Sequence, residues 1–303
     1  MTPRAMMTLA LLLAGPFALS AATPVSVAVS VAPQAYLVDA VGGAHVTTVS
    51  AVGPGESPHV FDPTPSQVAR LATAQLYVAA GLEVEVPLLP RLRAMNAGLV
   101  VVPPPASDVR GPGCTLEHDH DHAHGHDHAR IDPHYWLDPR LAADQAEAIA
   151  EALARHAPAL ADTFSSRARA LGDRLARLHD HLADILAPVR GQDLVVAHPA
   201  FGHLAAAYGL EQVAVEHEGH APSPRQLAAL LERLRENGTP AVFVQPQVGQ
   251  PGLRSLADAA GVELVTLDPL AYDYPANMLH MARAIAGALT SGAASPANQD
   301  GPR

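Results

Sequence analysis

Short apolar segments alternate with segments of helical periodicity along most of the chain. Residues 25–31 place valine at every second position, a period of two that predicts a β-strand. Similar strand patterns fall at 45–52, 76–80 and 99–102, and helical patterns lie between them at 34–41, 65–73 and 87–96. This order predicts a parallel sheet with helices on both of its faces.

The same alternation returns in the last third of the chain. Strand patterns fall at 193–197, 212–215, 241–244 and 262–267, with helical patterns at 201–208, 224–236, 252–260 and 276–289. Ser223 is placed to cap the helix that begins at Pro224, and Asn237-Gly238 is placed to end it. We therefore expect a second α/β lobe of similar size.

A long helical stretch separates the two lobes. One helix is predicted over 140–156, and a second begins at Pro158 and runs to about Leu186. The second carries one apolar stripe, formed by Leu160, Phe164, Leu171, Leu175, Leu178, Leu182 and Ile185. About 28 helical residues span roughly 42 Å. The predicted fold class is α/β: two lobes, each with a parallel β-sheet flanked by helices, joined by one long rigid helix.

The ends of the chain add a targeting segment and a tail. Arg4, an apolar run over 6–19 and small residues at 20–22 are typical of a Sec-type signal peptide cleaved near Ala22. We expect export to a bacterial periplasm. The predicted organisation is a signal peptide at 1–22, an N-terminal lobe at 23–139, a helical connection at 140–190, a C-terminal lobe at 191–292 and a flexible tail at 293–303.

Composition excludes one class of function and singles out one residue type. The 30 acidic and 19 basic side chains give a net charge of −11, which argues against nucleic-acid binding through a basic face. A single cysteine, Cys114, permits no intramolecular disulfide. The chain contains 17 histidines, an excess that needs its own explanation.

Part of that excess is one His-rich tract within residues 117–129. Six histidines and three aspartates occupy eleven consecutive positions, and the histidines are His118, His120, His122, His124, His126 and His128. Imidazole beside carboxylate binds Zn²⁺, Cu²⁺ or Ni²⁺ in several interchangeable arrangements. The tract is therefore predicted to be a solvated loop that captures or delivers ions through weaker, accessory sites.

Isolated histidines indicate a more defined site. His59 follows the second predicted strand, His134 precedes the connecting helices, and His198 directly follows the first strand of the second lobe. Asp268 follows the last strand of that lobe. Ligands of open parallel sheets bind outside the carboxyl ends of the strands. These four residues are therefore predicted to form one metal site between the lobes.

Three imidazoles and one carboxylate make a four-coordinate set that suits Zn²⁺. Manganese prefers more oxygen ligands, but manganese or another divalent metal stays an alternative.

His203 is expected on a helix surface, while His217 and His220 follow a strand and could face the cleft. Asp132 and Asp138 flank His134 and could accept its second N–H.

Two other functions remain open on these residues. A zinc hydrolase would need an open coordination position and a general base, for which Glu56 or Glu216 could serve. No His-Glu-x-x-His motif supports that reading. A periplasmic metal buffer or chaperone could instead act through the His-rich tract alone.

The motifs together resemble the substrate-binding proteins of bacterial metal ABC importers, most closely those for zinc. The resemblance rests on the segments around His59, on the 132–139 segment, on His198-Pro199-Ala200-Phe201-Gly202 and on Leu267-Asp268-Pro269-Leu270. His198 stands where manganese-type members carry a glutamate, which favours zinc.

The resemblance implies a non-enzymatic carrier that holds one Zn²⁺ tightly in the interlobe cleft. It assigns His59, His134 and His198 to the three histidine ligands and Asp268 to the carboxylate ligand. It also implies delivery to a membrane permease driven by a cytoplasmic ATPase. A periplasmic zinc chaperone is a further candidate partner, no nucleic acid is involved, and a monomer is expected.

Overall fold

The computed structural model describes residues 23–109, 132–216, 238–247 and 251–293, with five isolated positions between 217 and 237. The first lobe contains four parallel strands in the order β2-β1-β3-β4. These strands are β1 (Val25–Val29), β2 (Val46–Ser50), β3 (Leu76–Val78) and β4 (Val100–Val102). The helices are α1 (Ala32–Gly42), α2 (Pro65–Leu71) and α3 (Glu85–Met95). The predicted parallel sheet is confirmed.

Strand β1 lies in the interior of this sheet, between β2 and β3, and both of its faces are apolar. Val27, Ala28 and Val29 are fully buried, so neighbouring side chains on opposite faces both pack against helices or the core. The strand order reverses at β1, because β2 pairs with one edge of this strand and β3 with the other. Loops at the carboxyl ends of the strands therefore border a crevice there.

The connection consists of α4 (Pro139–His156) and α5 (Ala161–Leu186), separated by a 3₁₀ turn over Pro158–Leu160. The single helix expected from Pro158 therefore begins three residues later. The 26 residues of α5 span about 39 Å. Its buried stripe is Phe164, Ala168, Leu171, Leu175, Leu178, Leu182 and Leu186. Leu160 and Ile185, which were expected in that stripe, are only partly buried against the core.

The second lobe repeats the topology of the first, with four parallel strands in the order β6-β5-β7-β8. The strands are β5 (Asp193–Val196), β6 (Glu211–Ala214), β7 (Ala241–Val244) and β8 (Glu263–Thr266). The helices are α6 (Gly202–Tyr208), α7 (Pro251–Ala260) and α8 (Tyr274–Ala293). The helix predicted over 224–236 falls mostly outside the described residues.

Helix α5 packs against α1 of the first lobe and against α6 and α8 of the second. One apolar core consequently runs from Val27 of β1 through Leu175 of α5 to Met281 of α8. Hydrogen bonds also cross between the lobes. The indole Nε1 of Trp136 donates to the carbonyl oxygen of Pro269 over 2.8 Å, and the Tyr274 hydroxyl donates to the carbonyl oxygen of Trp136 over 2.6 Å.

Within the part of the chain that the structure describes, no helix is both long and apolar enough to span a bilayer. The predicted signal peptide at 1–22 and the His-rich tract at 117–129 lie outside the described residues, as do His217 and His220.

Candidate metal centre

His59 lies on the loop that leaves the carboxyl end of β2. Local hydrogen bonds shape this loop: the Glu56 carboxylate accepts from the Gly53 amide over 2.8 Å, and the Val60 amide donates to the Ser57 carbonyl over 3.3 Å. Thr64 then begins α2 with a capping box completed by Gln67. The loop between β2 and α2 is thus fixed at both ends, and His59 projects from it.

His134 follows Asp132, and one carboxylate oxygen of that aspartate orients it. Oδ1 of Asp132 accepts from the His134 ring Nδ1 over 2.7 Å and from its backbone amide over 2.9 Å. Because a carboxylate accepts, the ring proton lies on Nδ1, and Nε2 keeps its lone pair for a metal. The ring also meets Trp136 edge to face, with centroids 5.4 Å apart.

His198 follows β5 and is oriented in the same way by Glu216, which follows β6. The His198 Nδ1 lies 2.8 Å from Oε2 of Glu216. The backbone pairing of the two strands continues past their ends, since the Glu216 amide donates to the Ala197 carbonyl over 2.9 Å. The sheet therefore brings the carboxylate beside the imidazole.

The three rings meet between the lobes. Nε2 of His59 lies 3.3 Å from Nε2 of His134 and 3.0 Å from Nε2 of His198. All three residues offer ligand atoms within 4.8 Å of one another. His134 and His198 are 3% and 8% exposed, and His59 is the more accessible ring. The structure therefore brings together the three histidines that the sequence predicted.

Electrostatics favour neutral imidazole at the centre of the cluster. Burial, together with the nearby rings of His134 and His198, lowers the pKa of His59 from 6.5 to about 3. Burial alone would raise the pKa of Asp132, but the adjacent His134 ring and its hydrogen bonds hold it below the usual value. His59 is thus held as an uncharged nitrogen donor, and an ionised carboxylate orients the neighbouring His134, an arrangement that suits cation binding.

Asp268, the fourth predicted ligand, is not brought into this group. Its Oδ1 accepts from the Gln247 side-chain amide over 2.6 Å and from the Leu270 backbone amide over 2.9 Å. It lines a separate cavity of about 530 Å³ that also borders residues of the first lobe, including Ser50 and Arg70.

The expectation that His203 lies on a helix surface is wrong. It is 1% exposed, and its Nε2 lies 2.9 Å from the carbonyl oxygen of Asp132. Leu204, Ala205 and Tyr208 of the same helix are buried as well, whereas Ala206 is exposed. The helix Gly202–Tyr208 carries no charged Asp, Glu, Lys or Arg, and the available signal in the sequence was that His203 precedes Leu204 and Ala205 on a mostly apolar helix.

The contacts of two acidic residues clarify their roles. Glu216, considered above as a catalytic base, bonds the Nδ1 of His198. Asp138 caps α4 through the Arg140 amide and pairs with the Arg140 guanidinium at 2.7 Å, so it does not contact His134. Of the two aspartates that flank His134, only Asp132 supports its ring.

A cavity of about 660 Å³ opens beside His59 and is lined by Gly81, Pro104 and Asp132 among others. A small ion can therefore approach the accessible ring of His59 from the side of the first lobe. Two α/β lobes, a long connecting helix and three convergent imidazoles between the lobes define a metal-binding protein of the substrate-binding type.

Comparison with known proteins agrees with this class. The family model described as zinc-uptake complex component A, periplasmic, matches residues 27–288. The chain therefore belongs to that family, and the resemblance drawn from the sequence motifs is confirmed. The family comprises uptake components rather than enzymes, so a zinc hydrolase is not favoured.

Individual relatives match this chain to different extents. The high-affinity zinc uptake system protein ZnuA of Yersinia pestis is 29% identical over 290 residues, covering 88% of this chain and 89% of the relative. A crystal structure of a zinc-bound ZnuA deletion mutant is 32% identical, with a TM-score of 0.79 over 88% of this chain and 98% of its own.

A third relative is longer. The zinc-binding lipoprotein AdcA of Streptococcus pneumoniae is 28% identical over 223 residues, or 72% of this chain. This chain spans only 44% of the length of AdcA.

Proposed function

We propose that this protein captures one Zn²⁺ ion with the Nε2 atoms of His59, His134 and His198. The observation that carries the proposal is the spacing of these atoms. Nitrogens bonded tetrahedrally to zinc at about 2.0–2.1 Å lie about 3.3–3.4 Å from one another. The two Nε2 separations from His59 are 3.3 and 3.0 Å. Binding zinc would thus need only small adjustments of the rings.

The donor set favours zinc over harder cations. Three neutral imidazoles suit Zn²⁺, whereas Mn²⁺ prefers oxygen ligands. The names of the relatives agree, since a zinc-bound ZnuA structure shares the fold and the Yersinia relative is a zinc uptake protein. Cu²⁺ binds such donors more tightly than zinc, so selection in the cell would rest on metal supply.

We propose Asp268 as the carboxylate that completes the site. It is partly buried, follows β8, and lies at the same edge of the second sheet as His198. Coordination would require its carboxylate to move toward the histidines, exchanging the hydrogen bond from Gln247 for a bond to the ion. A hinge or loop adjustment on metal binding would supply that movement.

Delivery is the second half of the proposed function. A cleft that binds metal without an enzymatic role suits a periplasmic carrier that passes Zn²⁺ to the permease of an ABC importer, powered by a cytoplasmic ATPase. We propose that it acts as an exported monomer. The His-rich tract would bind further ions weakly and could exchange them with a periplasmic zinc chaperone.

Zinc titration in competition with a chelator of known affinity tests the tight site. The proteins to compare are the wild type, the alanine variants of His59, His134 and His198, and His156→Ala as a matched control. His156 is an exposed histidine at the end of α4, away from the cluster. Each site variant should lose at least about a hundredfold in affinity, because each removes one of the metal–ligand bonds.

Deleting residues 117–129 separates the carrier from a metal buffer. The carrier retains one tight zinc after the deletion and loses only weaker ions. Loss of all zinc binding in this variant would instead favour a buffer that acts through the tract. Site variants that bind zinc as tightly as His156→Ala does would rule out the histidine cluster as the tight site.

A further inference from the structure

Two residues in the first turn of α6 contact Asp132, the residue that orients the His134 ring. Nε2 of His203 lies 2.9 Å from the main-chain carbonyl oxygen of Asp132, and both residues are buried, at 1% and 2% exposure. A carbonyl oxygen only accepts, so His203 donates from Nε2. The second lobe therefore fixes the backbone of Asp132, whose Oδ1 fixes the ring of His134.

Gly202 packs closely against the side-chain carboxylate of the same aspartate. A β-carbon at this position would lie 2.5 Å from Oδ2 of Asp132, closer than real β-carbons approach other atoms. Gly202 is absent from the glycines with positive φ, so its backbone does not demand glycine. The close approach of the Asp132 carboxylate is what requires glycine here.

Among the residues that the structure describes, none donates a hydrogen bond to the other carboxylate oxygen of Asp132. Oδ2 is buried and accepts no hydrogen bond from the described residues. Rotation of the carboxylate is therefore limited on one side by its two bonds to His134 and on the other by packing against Gly202. Any side chain at 202 would turn the carboxylate away from the His134 Nδ1.

We infer that Gly202 and His203 are positioning residues for the metal site, acting through Asp132 on the orientation and tautomer of His134. Neither touches the metal. The segment that supplies the ligand His198 thereby also fixes the orientation of His134 in the first lobe. This couples the two lobes at the site. The inference rests on the proposed function, in which His134 binds Zn²⁺ through Nε2.

The test compares Gly202→Ala with Gly172→Ala. Gly172 lies within α5, and a β-carbon there meets nothing within 4 Å, so the control changes helix propensity alone. Gly202→Ala should fold and weaken zinc binding roughly tenfold to a hundredfold, the usual effect of losing a support to a metal ligand. Gly172→Ala should bind zinc like the wild type.

A double-mutant cycle separates positioning from a general packing defect. Once Asp132→Ala has removed the carboxylate, adding Gly202→Ala should change zinc affinity no further, because the contact is already lost. An equal loss in both backgrounds would show that Gly202 acts independently of Asp132 and would overturn the inference.

His203 provides a second test through its donor. His203→Gln can still present an Nε2 donor to the Asp132 carbonyl and should keep most of the affinity, while His203→Leu cannot donate and should lose it. Equal zinc affinities for the two variants would contradict a role through this hydrogen bond.

Nitrogen-15 NMR of the metal-free protein gives a readout that needs no zinc. His134 should carry its proton on Nδ1 in the wild type and in Gly172→Ala, and populate both tautomers in Gly202→Ala. An unchanged His134 tautomer with unchanged zinc affinity in Gly202→Ala overturns the inference. A wild-type protein that fails to bind zinc overturns the proposed function instead. In that case the comparison of His134 tautomers still tests the inference about Gly202 and His203.

Discussion

The Nδ1 atom of His198 lies 2.8 Å from Oε2 of Glu216, across the ends of two paired parallel strands. Strand pairing explains the contact: Val196 of β5 lies opposite Ala214 of β6, and two residues further along each strand are His198 and Glu216. The carboxylate accepts a hydrogen bond from the His198 Nδ1–H, and this leaves the Nε2 lone pair directed toward the other two imidazoles.

Glu216→Ala should weaken zinc binding roughly tenfold to a hundredfold, because His198 loses the acceptor that fixes its tautomer. Glu216→Gln keeps a carbonyl acceptor and should lose less. Glu211→Gln is a matched control, since Glu211 is an exposed acid at the start of the same strand. Titration of each variant with zinc measures the effect, and equal affinities for Glu216→Ala and Glu211→Gln would refute it.

Acid should destabilise the metal-free protein through His59. Its pKa of about 3 in the folded state lies below the ordinary histidine value of 6.5, because burial and the neighbouring His134 and His198 rings disfavour the charged form. Between these values the unfolded chain binds a proton at His59 that the folded protein does not. The contribution of His59 to the free energy of unfolding is therefore fully present above about pH 6.5 and is lost as the pH falls toward 3.

His59→Gln removes this proton difference and should flatten the fall in the free energy of unfolding between pH 7 and pH 4. Urea unfolding of metal-free protein at several pH values measures the slope. His156→Gln, which removes an exposed histidine away from the cluster, should retain the wild-type slope. Identical slopes for wild type and His59→Gln would contradict the lowered pKa of His59.

Trp136 connects the two lobes beside the site through a buried hydrogen bond, and removing this bond should lower the free energy of unfolding. Trp136→Phe keeps an aromatic ring against His134 but leaves the Pro269 carbonyl without its donor. Leaving a buried polar group unpaired costs about 1–3 kcal/mol of unfolding free energy.

Tyr274→Phe should have a similar cost, because its hydroxyl donates to the Trp136 carbonyl in the core. Tyr272→Phe is the control: this side chain is 50% exposed, and its hydroxyl reaches Asp39 near the surface. Changes at such surface positions stay within about 0.5 kcal/mol. Denaturant unfolding ranks the three variants, and a larger loss for Tyr272→Phe would contradict the interlobe role of Trp136.

Much of this architecture follows from local pattern. Period-two valines predict β1, and the apolar stripe of α5 predicts a helix buried along one side. The three histidines could be selected because each stands where a strand ends or a helical region begins, where parallel sheets bind ligands. Their convergence also requires the two lobes to face one another.

Contacts that depend on register or close packing could not be predicted in the same way. The pairing of His198 with Glu216 requires knowing that Val196 lies opposite Ala214, and a strand sequence does not specify its partner's register. Gly202 resembles an ordinary helix start until the Asp132 carboxylate is placed against it. Asp268 follows its strand as expected. Its carboxylate, however, accepts hydrogen bonds from the Gln247 side chain and the Leu270 amide and is not grouped with the histidines.

X-ray absorption at the zinc edge tests the central claim most directly. The sample is protein lacking residues 117–129, loaded with one equivalent of Zn²⁺, so that only the interlobe site contributes. Coordination by His59, His134, His198 and Asp268 predicts three imidazole nitrogens at about 2.0–2.1 Å and one oxygen, in tetrahedral geometry. A shell dominated by oxygen, or one with fewer than three imidazoles, would contradict it.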